Sequence, residues 1–177
     1  AGVGVGREYK SRATQGGTLA PAFLHFPEFT KSGEISDEFI SVVDFAPTFL
    51  ELAGASDIHE SSSGQPLQDL QGYSLVPYLM GEDTQVRPND FTFGWEVFGH
   101  RAIRKGDWKL LWLTSEPSET PQPLAEGADH WGLYNLAVDP GEANDLSAEN
   151  PEKVAELLQA WGEYVADNGI VLPSRDN

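Results

Sequence analysis

The sequence predicts a mixed α and β chain whose C-terminal half is an antiparallel sheet of three or four strands with one amphipathic helix across a face. Two patterns carry this expectation. Phe91, Phe93, Trp95 and Val97 alternate, as do Trp108, Leu110 and Trp112, which is the period-2 signature of half-buried strands. Val154, Leu157, Leu158, Trp161, Tyr164 and Val165 recur at three- and four-residue spacing and form one wide apolar stripe on a helix. Between the two strand patterns, Lys105-Gly106-Asp107 predicts a tight turn with Gly106 at positive φ. Residues 91–114 therefore read as a hairpin in the middle of the sheet.

The remaining elements follow in order. Residues 1–12 are Gly-rich, then polar, and read as a loop. Residues 19–26 (LAPAFLHF) are apolar almost throughout, as a strand covered on both faces would be. No other segment offers that strand a partner, an expected sign of truncation. Asp44 is placed to cap a helix that has Pro47 in its first turn and Gly54 at its end, with Phe45, Phe49 and Leu52 on one face. A helix this short persists only with that face buried. Residues 56–70 read as a surface loop, and Ser74 caps a second short helix closed by Gly81. Residues 115–150 hold eight carboxylates and no Lys or Arg, mostly as solvated loop, with a strand at 131–136 and a turn at Asp139-Pro140-Gly141-Glu142. Asn150 caps the last helix, Pro151 opens it and Gly169 ends it.

Composition narrows the function classes. At 177 residues and 40% hydrophobic content, with five Trp and nine Phe, the chain can pack a core as one domain, or as a small domain plus part of another. A formal net charge of −17 argues against nucleic acid and against anionic membrane surfaces as partners. The absence of Cys removes disulfides, zinc-thiolate sites and cysteine nucleophiles from this chain and leaves the compartment open, periplasm or cytoplasm. No run approaches the roughly 18 apolar residues of a membrane span.

Five groups of residues, in order, carry a resemblance to a known family. They are Tyr9-Lys10 with Thr14-Gln15-Gly16-Gly17 and Pro21-Ala22; Val43-Asp44 with Pro47-Thr48 and Leu52-Ala53-Gly54; Gly72-Tyr73-Ser74-Leu75; Gly94-Trp95-Glu96 with residues 98–99 and 101–109; and Leu133-Tyr134-Asn135-Leu136 with residues 139–142. Together they resemble the sulfatases of the alkaline-phosphatase superfamily, and most closely the bacterial arylsulfatases. The resemblance implies an α/β, alkaline-phosphatase-like fold: residues 1–86 as the end of the large mixed-sheet catalytic domain, and residues 87–177 as a small α+β domain with a four-stranded antiparallel sheet and a long C-terminal helix. It also implies sulfate-ester hydrolysis by a formylglycine nucleophile beside a calcium ion, both supplied by an N-terminal catalytic portion outside this chain. The chain's expected partners are that portion and a small sulfate ester.

Of the family's reagents, Lys10 is the residue the resemblance carries over, as a catalytic and substrate-binding group that reaches the sulfate oxygens. An ammonium suits this task, being a compact charge with three donors. No metal ligand is assigned. Pro173-Ser174-Arg175 echoes the nucleophile signature, but Val171 stands where the nucleophile belongs, and Asp167-Asn168-Gly169 echoes a metal motif where a helix needs a terminator. Gly16 and Gly17 either bring backbone near the substrate or make a turn, and Thr18 stands where the family often has Arg. His25, His59, His100 and His130 lack metal-ligand spacing; His25 reads as a core polar group and His100 as an exposed turn residue. Arg101, Arg104, Lys105 and Lys109 read as a solvated hairpin edge or, alternatively, an anion-attracting rim. Glu28, Asp37 and Glu38 lack calcium-loop spacing. Two other readings remain: a non-catalytic sulfatase-like remnant used for binding or assembly, and a phosphatase or phosphonate hydrolase of the same superfamily.

Overall fold

The computed structural model describes residues 6–31, 33–55, 69–114 and 130–171. The chain forms two compact units, residues 1–21 with 89–177, and residues 22–88. This grouping differs from two consecutive blocks in giving the first 21 residues to the unit that contains the sheet.

The sheet is a four-stranded antiparallel meander in sequence order, β1 (Thr92–Val97), β2 (His100–Lys105), β3 (Trp108–Trp112) and β4 (Trp131–Asn135). Residues 91–114 are thus three strands and two turns, where the sequence pattern suggested one hairpin. The turn missed by that pattern is Phe98-Gly99, with φ of 51° and 82°, between paired Val97 and His100. Two positive φ values match the right-handed twist of the strands, so two residues suffice to reverse the chain. The second turn holds Gly106 at φ 57°, as its sequence requires.

Both faces of the sheet are buried, which the reading of half-buried strands did not anticipate. On one face, Ile103, Leu110 and Leu133 pack against Leu157, Ala160 and Trp161 of helix α4 (Pro151–Asn168). On the other, Ala102, Leu111, Leu113, Tyr134 and Leu136 pack with Ala13 of the N-terminal segment. The apolar neighbours Leu110 and Leu111 therefore point to opposite, equally dry sides. Gly94 faces α4, where an added Cβ would lie 2.4 Å from the Tyr164 ring. Gly169, at φ 59°, ends the helix as expected.

The N-terminal segment contains one helical turn, α1 (Gln15–Thr18). Residues 19–26 form no strand. Leu19 is 61% and Phe23 89% exposed, because an extended segment becomes a strand only beside a partner ladder, and the described residues supply none.

In the second unit, a 3-10 turn (Val42–Asp44) leads into α2 (Phe45–Leu52), and α3 (Val76–Leu79) follows. The buried side chain of α2 is Thr48, while Phe49 is 61% exposed, contrary to the expected covered aromatic face. Asp44 does not cap α2 with its side chain. Its carboxylate instead accepts from the Ser41 N–H at 2.6 Å and the Tyr73 N–H at 2.9 Å, and pairs with the Arg87 guanidinium at 2.5 Å. Asp44 is fully buried, so the pair and its two amides compensate one another's desolvation. No helix among the described residues is long and apolar enough to cross a membrane. Arg87→Met, which strands the Asp44 carboxylate without its cation, is expected to cost about 3–5 kcal/mol of stability, measured by denaturant unfolding; a cost under 1 kcal/mol would sink this account of the unit.

Candidate functional site

Lys10 stands exposed on a loop whose backbone is held in a high-energy form. Glu8 and Ser11, on either side of it, have φ of 60° and 74°, a region that non-glycine residues enter at a cost of about 1 kcal/mol or more each. Such conformations persist only where surroundings over-determine them. Here the surroundings are identifiable. The Gly16 N–H donates to the Arg7 carbonyl at 2.9 Å, and Arg7 Nη1 donates to the Tyr134 hydroxyl at 3.1 Å. A Cβ on Gly16 would lie 2.3 Å from the Arg7 carbonyl oxygen and 2.4 Å from that of Glu8, and one on Gly17 would lie 2.1 Å from the Arg12 oxygen. The glycine pair makes the single turn of α1, where the Gly17 N–H donates to the Thr14 carbonyl at 2.9 Å. It lets the Lys10 loop rest directly on the backbone of α1.

On the far side of the loop, Arg12 Nη1 lies 2.6 Å from His100 Nε2, and the Thr114 N–H donates to His100 Nδ1 at 3.1 Å. His100 is buried at the start of β2, and not an exposed turn residue as its place in the sequence suggested. Both its nitrogens face N–H groups, so an added proton would have no acceptor. Burial first, and the Arg12 charge second, lower its pKa from 6.5 to about 4. Tyr134 is shifted the other way, its hydroxyl pKa raised by burial against the opposing Arg7 charge.

Beneath α1 lies a buried ion pair. Lys109 Nζ is 2.7 Å from Glu142 Oε1, and neither side chain is exposed to solvent at all. Glu142 Oε2 accepts from the Gln15 N–H at 2.8 Å, and Lys109 Nζ donates to Gln15 Oε1 at 3.3 Å, with the Trp95 ring centroid 5.5 Å from the ammonium. Burial lowers the Lys109 pKa below the ordinary lysine value, opposed by Glu142. This corrects the reading of Lys109 as part of a solvated basic edge. The signal missed was its position: Lys109 alternates in phase with Leu111, on the face that residues 13–15 cover. The other three basic residues do lie nearer the surface, with Arg104 Nε donating to the Gly106 carbonyl and Lys105 paired to Glu156 at 2.9 Å.

The remaining candidates do not converge. His25 is exposed, contrary to the expected core role, and His130 pairs with Asp145 at 3.0 Å on the surface. Glu38 accepts from the Val86 N–H. No group of three or more His, Asp or Glu side chains among the described residues is placed to hold a metal ion. His59 and residues 173–175 lie outside the described residues.

The sequence matches the family described as N-sulphoglucosamine sulphohydrolase, C-terminal, over residues 14–163. The chain belongs to this sulfatase family. It is 34% identical over 167 residues to an uncharacterised sulfatase of Schizosaccharomyces pombe, covering 94% of this chain and 28% of that protein. It is 30% identical to human arylsulfatase A, over 85% of this chain and 30% of that one, and 29% identical to an N-acetylglucosamine-6-O-sulfatase of Bacteroides thetaiotaomicron, over 81% and 24%. The chain thus spans about a quarter to a third of the length of these relatives, which come from fungi, animals and bacteria alike and single out no bacterial origin. A putative sulfatase structure from Bacteroides thetaiotaomicron aligns with a TM-score of 0.53 at 19% identity, over 85% of this chain and 31% of that one, and shares the fold. The sulfatase family match begins at Thr14, so Lys10 lies just before it.

The His100 pKa carries a sign that can be tested. Its folded value, about 4, lies below the unfolded 6.5, so the unfolded chain takes the proton first. The stabilisation is present in full above pH 6.5 and is lost as pH falls toward 4. His100→Gln is expected to flatten stability against pH across that window in denaturant titrations; an unchanged slope would refute the assignment.

Proposed function

We propose that the chain is part of a sulfuric-ester hydrolase of the arylsulfatase type, and that Lys10 is its contribution to the reacting site. The observation that carries this reading is the strained, glycine-supported loop that presents an exposed lysine between Glu8 and Ser11, in a member of a sulfatase family. Strain of this kind collects where a side chain must be aimed. Lys10 would donate to the non-bridging oxygens of a sulfate ester. As the S–O bond to the alcohol or phenol breaks and water supplies the new oxygen, charge on the sulfuryl group shifts, and a fixed ammonium favours the shifted distribution.

The relatives are named for different esters, among them aryl sulfates, N-acetylglucosamine 6-O-sulfate and ulvan, so the shared feature is the sulfate ester itself. The substrate class proposed here stops there. Calcium and formylglycine are implied for the complete enzyme. The chain does not fit either group, since no carboxylate cluster converges among the described residues and the echo of the nucleophile signature has Val171 where a Cys or Ser is needed. Both belong to the N-terminal catalytic portion that the reading takes as this chain's partner.

In the complete protein, Lys10→Ala is expected to slow hydrolysis of 4-nitrophenyl sulfate by about 10²-fold or more, the scale of losing one transition-state donor, while the 177-residue chain alone shows no turnover. Near-normal turnover by the variant would remove Lys10 from the site.

A further inference from the structure

We infer that the buried Lys109–Glu142 pair, acting through Gln15, is a positioning device for Lys10. The inference rests on the reading of Lys10 as a sulfate-contacting group. Its structural basis is separate and lies in what the pair holds.

Stability alone does not call for such a pair. Two fully desolvated charges are commonly matched or bettered by apolar side chains of the same volume. What an ion pair adds is direction, since each partner's remaining hydrogen bonds must point at a fixed acceptor or donor. Here they point at one residue. Glu142 takes the backbone N–H of Gln15 and Lys109 takes its side-chain carbonyl, so Gln15 is gripped at both ends. The next two residues, Gly16 and Gly17, carry the carbonyls of Arg7, Glu8, Tyr9 and Arg12 at distances that leave no room for even a methyl group. A shift of Gln15 therefore passes to the Lys10 loop without slack.

Glu142 is itself aimed at some cost. It has φ 54° in the turn after β4, where its N–H donates to the Asp139 carbonyl at 3.2 Å. The Asp139 carboxylate then accepts from the Ala143 and Asn144 N–H groups at 2.9 and 2.8 Å. Of the four non-glycine residues at positive φ among those described, Glu8, Ser11 and Glu142 lie along this one line of contacts. The fourth, Phe98, belongs to the β1–β2 turn.

The test is a double-mutant cycle in the complete protein. Lys109→Met with Glu142→Leu removes both charges together and leaves none stranded. With Lys10 present, this double substitution is expected to lower kcat/KM for 4-nitrophenyl sulfate by about ten- to a hundredfold, the cost of a misplaced group. With Lys10→Ala, the same substitutions change it by less than about twofold, because the group they position is gone. Amide exchange in the peptide spanning residues 7–17 should rise in parallel. An equal loss in both backgrounds, or no loss with Lys10 present, overturns the inference. If Lys10→Ala alone keeps near-full turnover, the reading of Lys10 fails and takes this inference with it, a result distinguishable from the first. Should the double variant not fold, Gln15→Ala, which leaves the charges paired and removes one end of the grip, is scored in the same way.

Discussion

A lysine and a glutamate facing each other at 2.7 Å with no solvent on either is the constraint around which the sheet unit is arranged. Removing two charges from water costs several kcal/mol each unless the geometry returns it, so every segment touching the pair has little freedom. Lys109 comes from the second position of β3, Glu142 from the turn after β4, and Gln15 from the N-terminal segment. Three positions scattered over more than a hundred residues are fixed by one interaction, which demands β3 beside β4, a strained turn after them, and an N-terminal segment laid over that face of the sheet.

The sheet is in consequence a middle layer. One face meets α4 through Ile103, Leu110 and Leu133, and the other meets the N-terminal segment through Ala102, Leu111 and Tyr134. The β1–β3 run, the most recognisable stretch of the chain, performs scaffolding. It meets the N-terminal segment through His100, which lies against Arg12, and through Lys109, which reaches Gln15. In the second unit Asp44 plays a comparable organising part, gathering Ser41, Tyr73 and Arg87 about one buried carboxylate.

Much of this was legible beforehand. The stripe from Val154 to Val165 predicts α4, Gly106 and Gly169 sit where positive φ is needed, and the ordered motifs from Tyr9 to Glu142 resemble a sulfatase, the family that residues 14–163 match. The misreadings share a cause. From local setting alone Lys109 reads as a surface charge, His100 as an exposed turn and His25 as a core residue, and the structure places each of the three otherwise. Burial of a polar group depends on what arrives from elsewhere in the chain, and local sequence does not record that.

Periodicity, turn residues and motif order therefore determined the last helix, the outer strands of the 91–114 run and the family, because those follow from backbone geometry within a few residues. The tertiary structure decided the rest: that the sheet is covered twice, that Lys109 is dry, and that the turn of Gly16 and Gly17 carries the Lys10 loop against its backbone. A charge can be buried only where a distant partner meets it, and the meeting of Lys109 with Glu142 and Gln15 exists only once the chain has folded.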